Sequence, residues 1–76
     1  MMVRVKLLGS FAKFGKHLDD GMMAVEKGIR IRDIVEILKM PSENIMLILV
    51  NGVSATLDTE LSEGNTVQIF PPVGGG

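Results

Sequence analysis

Thr66-Val67-Gln68-Ile69-Phe70-Pro71-Pro72-Val73-Gly74-Gly75-Gly76 is the stretch on which the reading of this chain turns. Its first five residues alternate in the period-2 manner of a strand, with Val67 and Ile69 facing a core and Gln68 and Phe70 facing out. Proline fixes φ and has no N–H, so Pro71 and Pro72 end the strand and hold the chain beyond them extended. Glycine has no Cβ, which makes Gly74, Gly75 and Gly76 the thinnest thread a polypeptide can offer. Six residues past Phe70 span roughly 20 Å at about 3.3–3.6 Å each. A merely frayed terminus has no need of a stiff spacer, whereas a tail that enters a narrow active site does. The expected organisation is one folded domain over residues 1–70 and an extended tail over residues 71–76.

Upstream, the same logic finds the partners of that last strand. Val3-Arg4-Val5-Lys6-Leu7-Leu8 alternates, placing Val3, Val5 and Leu7 inward and Arg4, Lys6 and Leu8 outward. Gly9-Ser10 breaks the strand, and Phe11-Ala12-Lys13-Phe14 reads as a helical turn laying both aromatics on the core. A second strand is expected around Met22 to Glu26. The clearest helix runs from about Arg32 to Lys39, where Ile31, Ile34, Val35 and Leu38 form one apolar stripe; Met40-Pro41 is expected to stop it. Ile45 to Val50 is a continuous apolar run of strand length, so both of its faces must be covered or one must meet a partner. Asn51-Gly52 is a hairpin signal leading to a short return over Val53-Ser54-Ala55. Leu57 and Leu61 anchor a connector, and Ser62-Glu63-Gly64-Asn65 turns the chain into the last strand. Four to five strands crossed by one main helix, with the first and last strands side by side, make an α+β fold of β-grasp type.

Composition narrows the chemistry. Seventy-six residues make one small domain that buries about 60% of its unfolded surface and has little to spare for internal pockets. Apolar residues make up 46% and charged ones 22%, which places the chain among globular proteins. A formal net charge of −1 gives no electrostatic reason to expect nucleic acid or an anionic membrane as partner. No apolar run has the length of a membrane span and Met1-Met2-Val3-Arg4 is not a signal peptide, so a cytoplasmic protein is expected. The chain has no cysteine and one histidine, His17, which removes thiolate chemistry, His-paired metal sites and Ser-His or Cys-His couples. Asp19-Asp20 before Gly21 reads as a solvated turn rather than an acid–base dyad. No metal site, no resident cofactor and no active site of its own are expected.

Taken together, Phe70-Pro71-Pro72-Val73-Gly74-Gly75-Gly76, the opening strand with its Phe11–Phe14 turn, the Val50-Asn51-Gly52 turn and Leu61-Ser62-Glu63-Gly64 resemble the MoaD/ThiS family of sulfur carriers. The MoaD group is the nearer, because its last strand runs into Pro-Pro-Val, one variable residue and Gly-Gly. The similarity extends over essentially the whole chain. Three features depart from it: Gly74 at the variable position, a loose match over residues 16–26, and a greasier run from Met46 to Leu49.

The resemblance implies a ubiquitin-like fold whose working group is the carboxylate of Gly76. It further implies that an ATP- and Mg²⁺-using activating enzyme adenylates this carboxylate, that a sulfur-donor enzyme turns it into a thiocarboxylate, and that the large subunit of molybdopterin synthase receives the tail. Elementary chemistry agrees: a terminal carboxylate, with a pKa of about 3.3–3.7, is an anion and a poor electrophile until it is activated. The sequence has no G-x-x-x-x-G-K-S/T phosphate-binding loop, and Gly74-Gly75-Gly76 cannot serve as one because no helix follows to present its N-terminus. Ordering the tail costs roughly 1–2 kcal/mol of backbone entropy per residue. Affinity must therefore come mainly from a folded face, expected to be Leu8 and Phe70 framed by Arg4, Lys6 and Gln68, with Pro71, Pro72, Val73, Gly74 and Gly75 inserting behind it. Three alternatives stay open: a ThiS-type carrier for thiamine thiazole synthesis, a ubiquitin-like modifier joined to lysines through Gly76, and a non-covalent interaction module. A Pro-Pro spacer is unusual in the first.

Overall fold

The computed structural model describes residues 1–72. Five strands and one α-helix follow in the order β1 (Met2–Leu7), β2 (Met22–Ala24), α1 (Ile31–Ile37), β3 (Leu47–Val50), β4 (Val53–Ser54) and β5 (Thr66–Phe70). Two 3₁₀ helices, Gly9–Gly15 and Ser42–Asn44, fill connections. The strands form a single sheet in the order β2-β1-β5-β3-β4. β1 and β5 run parallel at its centre, with Val5 opposite Val67 and Leu7 opposite Ile69, and the remaining pairs are antiparallel. This is the expected ubiquitin-like β-grasp arrangement.

One face of the sheet makes the core. Val3, Val5, Val67 and Ile69 from the central strands and Ile48 from β3 meet Ile31, Ile34, Val35 and Leu38 from α1 and its cap in one buried cluster, closed by Phe11 and Leu61. Phe14 is only half-buried; its ring is tilted against Phe11 at 6.1 Å and carries the Lys13 ammonium 5.4 Å from its centroid. Buried polar or charged side chains are absent among the described residues, so the cluster is held by apolar burial at about 25 cal/mol per Å².

β3 starts at Leu47 rather than Ile45 and β4 ends at Ser54 rather than Ala55; three further differences from the sequence reading have a local reason. β1 ends at Leu7, but Leu8 stays extended and its N–H still donates to the Ile69 carbonyl at 3.1 Å. β2 stops at Ala24 rather than Glu26, although Val25 continues the pairing through its N–H to the Met1 carbonyl at 2.7 Å. The helix ends at Ile37, before the Met40-Pro41 stop. Lys39 adopts φ +57. Its N–H donates to Glu36 C=O and the Met40 N–H to Val35 C=O, both at 3.0 Å. That is the Schellman closure, with lysine at the position glycine usually fills.

The Asn51-Gly52 turn forms where its signal placed it. Asn51 and Gly52 both have positive φ (51° and 83°), as a type I′ hairpin requires. Asn51 also ties the hairpin to β5, its side-chain oxygen accepting the Thr66 N–H at 2.8 Å. Among the described residues no helix is long and apolar enough to cross a membrane.

Candidate functional site

The candidate site is the outward face of the sheet where β5 hands over to Pro71. β5 lies between β1 and β3, so the chain leaves the sheet from its middle rather than from an edge. The parallel register carries Leu8 opposite Phe70, and the antiparallel register puts Leu47 opposite Phe70 on the other side. Leu8, Phe70 and Leu47 thus form an apolar row across three strands at the point of exit. One row back stand Lys6, Gln68, Leu49 and Ser54. Phe70, Leu8 and Gln68 are half-buried, whereas Lys6 is exposed. Across the antiparallel β3–β5 pair, opposite side chains lie about 4.5–5.5 Å apart at Cβ, close enough to make one continuous surface.

The exit is fixed from both sides. The Met46 N–H donates to the Phe70 carbonyl at 2.9 Å, and Met46 itself is 61% exposed beside the row. Pro71 lies against Gly9, where a Cβ would come within 3.1 Å of its Cγ. Gly9 has φ +55, a second reason for glycine there. Pro72 is exposed. Val73, Gly74, Gly75 and Gly76 lie outside the described residues.

The structure therefore gathers Leu8, Phe70, Gln68 and Lys6, as the sequence reading placed them, but sets Arg4 apart. Arg4 pairs with Thr66 at the far end of the sheet, and its guanidinium bonds the Asp20 carboxylate at 3.2 Å. That ion pair also gives Asp20 a partner outside any carboxylate dyad. Leu47 and Leu49 are the residues missed. Their signal was the unbroken apolar run from Ile45 to Val50, in which alternate members cannot all face inward; Ile48 is buried, and Leu47 is 40% exposed.

No group of three or more histidine, cysteine, aspartate or glutamate side chains that could hold a metal occurs among the described residues. His17 is exposed. Away from this face, Arg32 and Asp58 form an ion pair. Their mutual hydrogen bond and charge hold the aspartate below its ordinary range and the arginine above its own. Arg32 donates to Asp58 Oδ1 through Nε at 3.0 Å and through its terminal nitrogen, while Arg30 donates to the Asp58 carbonyl at 2.6 Å. These contacts clip the connector after β4 to the start of α1.

The sequence model of the ThiS family matches residues 5–76. No curated protein matches the chain significantly. Among solved structures, the fold is similar to a putative molybdopterin converting factor subunit 1 from Pyrococcus furiosus. That protein is 27% identical with TM-score 0.73, over 96% of this chain and 99% of that one. SAMP1 from Haloferax volcanii is 19% identical with TM-score 0.70, each chain covered in full. Likewise matched over both full chains is the complex of subunits 1 and 2 of molybdopterin-converting factor from Helicobacter pylori, at 22% identity and TM-score 0.58. The last two likenesses concern the fold alone.

Proposed function

Because the chain belongs to the ThiS family, we propose that it is a sulfur carrier of the MoaD kind, serving as small subunit of molybdopterin synthase. One observation carries the branch assignment. The central strand of the sheet runs without interruption into Pro71-Pro72 beside a partly exposed apolar row, Leu8–Phe70–Leu47. A stiff exit from the middle of a docking face delivers the tail at a fixed angle to whatever that face binds. The 27% identity to a molybdopterin converting factor subunit 1 supports the same branch.

In this reading the Gly76 carboxylate attacks the α-phosphate of ATP in the activating enzyme, forming an acyl-adenylate and releasing pyrophosphate. Sulfur delivered by a donor enzyme at the sulfide level then attacks the acyl carbon, breaks its bond to AMP and leaves a thiocarboxylate. The synthase large subunit takes that sulfur into the dithiolene of the pterin and returns a carboxylate. This chain contributes the carried group, its spacer and the docking face; ATP, Mg²⁺ and the bond-making residues belong to the partners.

The test is activation of the free terminus. Wild type and a variant with one alanine added after Gly76 are incubated with the activating enzyme and ATP, and pyrophosphate release is followed. Release by wild type and loss in the extended form is the expected result. Equal release by both sinks the carrier reading.

A further inference from the structure

At the other end of the sheet from the tail, β2 and α1 bound an open groove of about 880 Å³. Val25 and the half-buried Ile29 form its apolar floor, and Ile37, 58% exposed, forms its helix wall. Glu26, Asp33 and Glu36 stand around it against one cation, Lys27. β2 is an edge strand, and its ladder leaves backbone groups open on this side. The Val25 N–H bonds the Met1 carbonyl at 2.7 Å, the Met1 ammonium bonds the Val25 carbonyl at 2.8 Å, and the Val5 N–H bonds the Gly21 carbonyl at 2.7 Å. In an antiparallel ladder bonded pairs alternate with unbonded ones, so Ala24, opposite Met2, falls in an unbonded pair.

Met2 agrees with this alternation. Its N–H donates to the Glu63 carboxylate at 3.2 Å and its carbonyl accepts the Gly64 N–H at 2.8 Å, both on the β5 side. The Ala24 N–H and C=O therefore point out toward the groove side.

We infer that this groove takes an extended segment of a partner protein, which adds a strand to β2 beside Ala24. The segment sets an aliphatic side chain against Ile37 and carries lysine or arginine next to it. Each element of the site selects one property of the occupant. Open backbone groups on a strand edge are satisfied by another strand rather than by a helix. Exposed Ile37 over Val25 and Ile29 selects a branched or long aliphatic side chain, and the surplus of carboxylates selects a basic flank. β2 has only three residues, so backbone pairing is short and the side-chain contacts must set the specificity. The groove lies at the start of β5 and the tail at its end, which lets a partner hold the carrier here while Gly76 is engaged elsewhere. The inference does not depend on the sulfur-carrier reading.

The probe is a fluorescein-labelled peptide, Val-Ile-Val-Leu with paired lysines at each end, titrated into the full ¹⁵N-labelled chain. Saturable amide shifts at Ala24, Glu26 and Ile37 are expected, with slowed exchange of the Ala24 N–H. Ile37→Glu should weaken binding about tenfold or more, a change of about 1.4 kcal/mol. A peptide with glutamate flanks should bind less well than the lysine form, and Glu36→Lys should narrow or reverse that preference. Absence of saturable binding, shifts confined to Leu8, Leu47 and Phe70, or equal affinity for both peptides would each overturn the proposal. So would self-association through Ala24 without peptide, since the occupant would then be a second copy.

Discussion

At the level of single residues the proposed docking face is a matter of which side chains share a row. Phe70 was legible as an outward aromatic from the alternation in its own strand. Its neighbour Leu47 was not, because facing depends on the register between β3 and β5, which a single strand's pattern does not contain. Phe70→Asp and Leu47→Asp should each weaken binding to the synthase large subunit about tenfold or more, measured by titration calorimetry. Arg4→Ala should change that affinity far less, since Arg4 sits at the far end of the sheet and is paired with Asp20. Gly75→Val should leave the melting temperature unchanged and collapse sulfur transfer, because a β-branched side chain thickens the thread and stiffens it. Transfer at the wild-type rate would remove the argument for a narrow channel.

Among the elements, the ends of helices and strands depart most from the pattern of the sequence. The stripe Ile31, Ile34, Val35 and Leu38 located α1, but its end is set by a backbone closure around Lys39 that no side-chain periodicity announces. Lysine in the left-handed region costs roughly 1–2 kcal/mol that glycine would not incur. Lys39→Gly should therefore stabilise the fold, by about 0.5–1 kcal/mol after glycine's extra unfolded-state entropy is subtracted, as read by denaturant midpoint. Gly21 is the opposite case. It has φ +76, and a Cβ there would lie 2.6 Å from the Val5 carbonyl oxygen. Gly21→Ala should destabilise by about 1–3 kcal/mol and loosen the β1–β2 edge first, visible as faster exchange of the Val5 N–H.

The Arg32–Asp58 clip joins two elements and carries a pH signature. The folded-state pKa of Asp58 lies below its unfolded value, so the clip stabilises above the unfolded carboxylate pKa and is lost as pH falls through the folded one. Asp58→Asn should lower the melting temperature at neutral pH, with the gap from wild type closing in acid. The clip is exposed, so the effect is small and shrinks in salt.

For the molecule as a whole, the fold was readable because every level agreed: alternating strands, one amphipathic helix and an Asn-Gly turn all suit a β-grasp sheet. What could not be read was the β3 half of the outward sheet face and the β2–α1 groove, which arise only once strands are laid side by side. The two lie at opposite ends of the sheet, one beside the tail and one away from it. In the proposed function the chain carries sulfur on Gly76 for molybdopterin synthesis. The most direct measurement mixes the thiocarboxylated protein with a molybdopterin synthase large subunit and the cyclic pterin precursor, and follows both pterin product and intact protein mass. The expected result is molybdopterin, with the sulfur at Gly76 replaced by oxygen. Sulfur that stays on the protein, or leaves only when thiazole synthase is supplied instead, would contradict the claim.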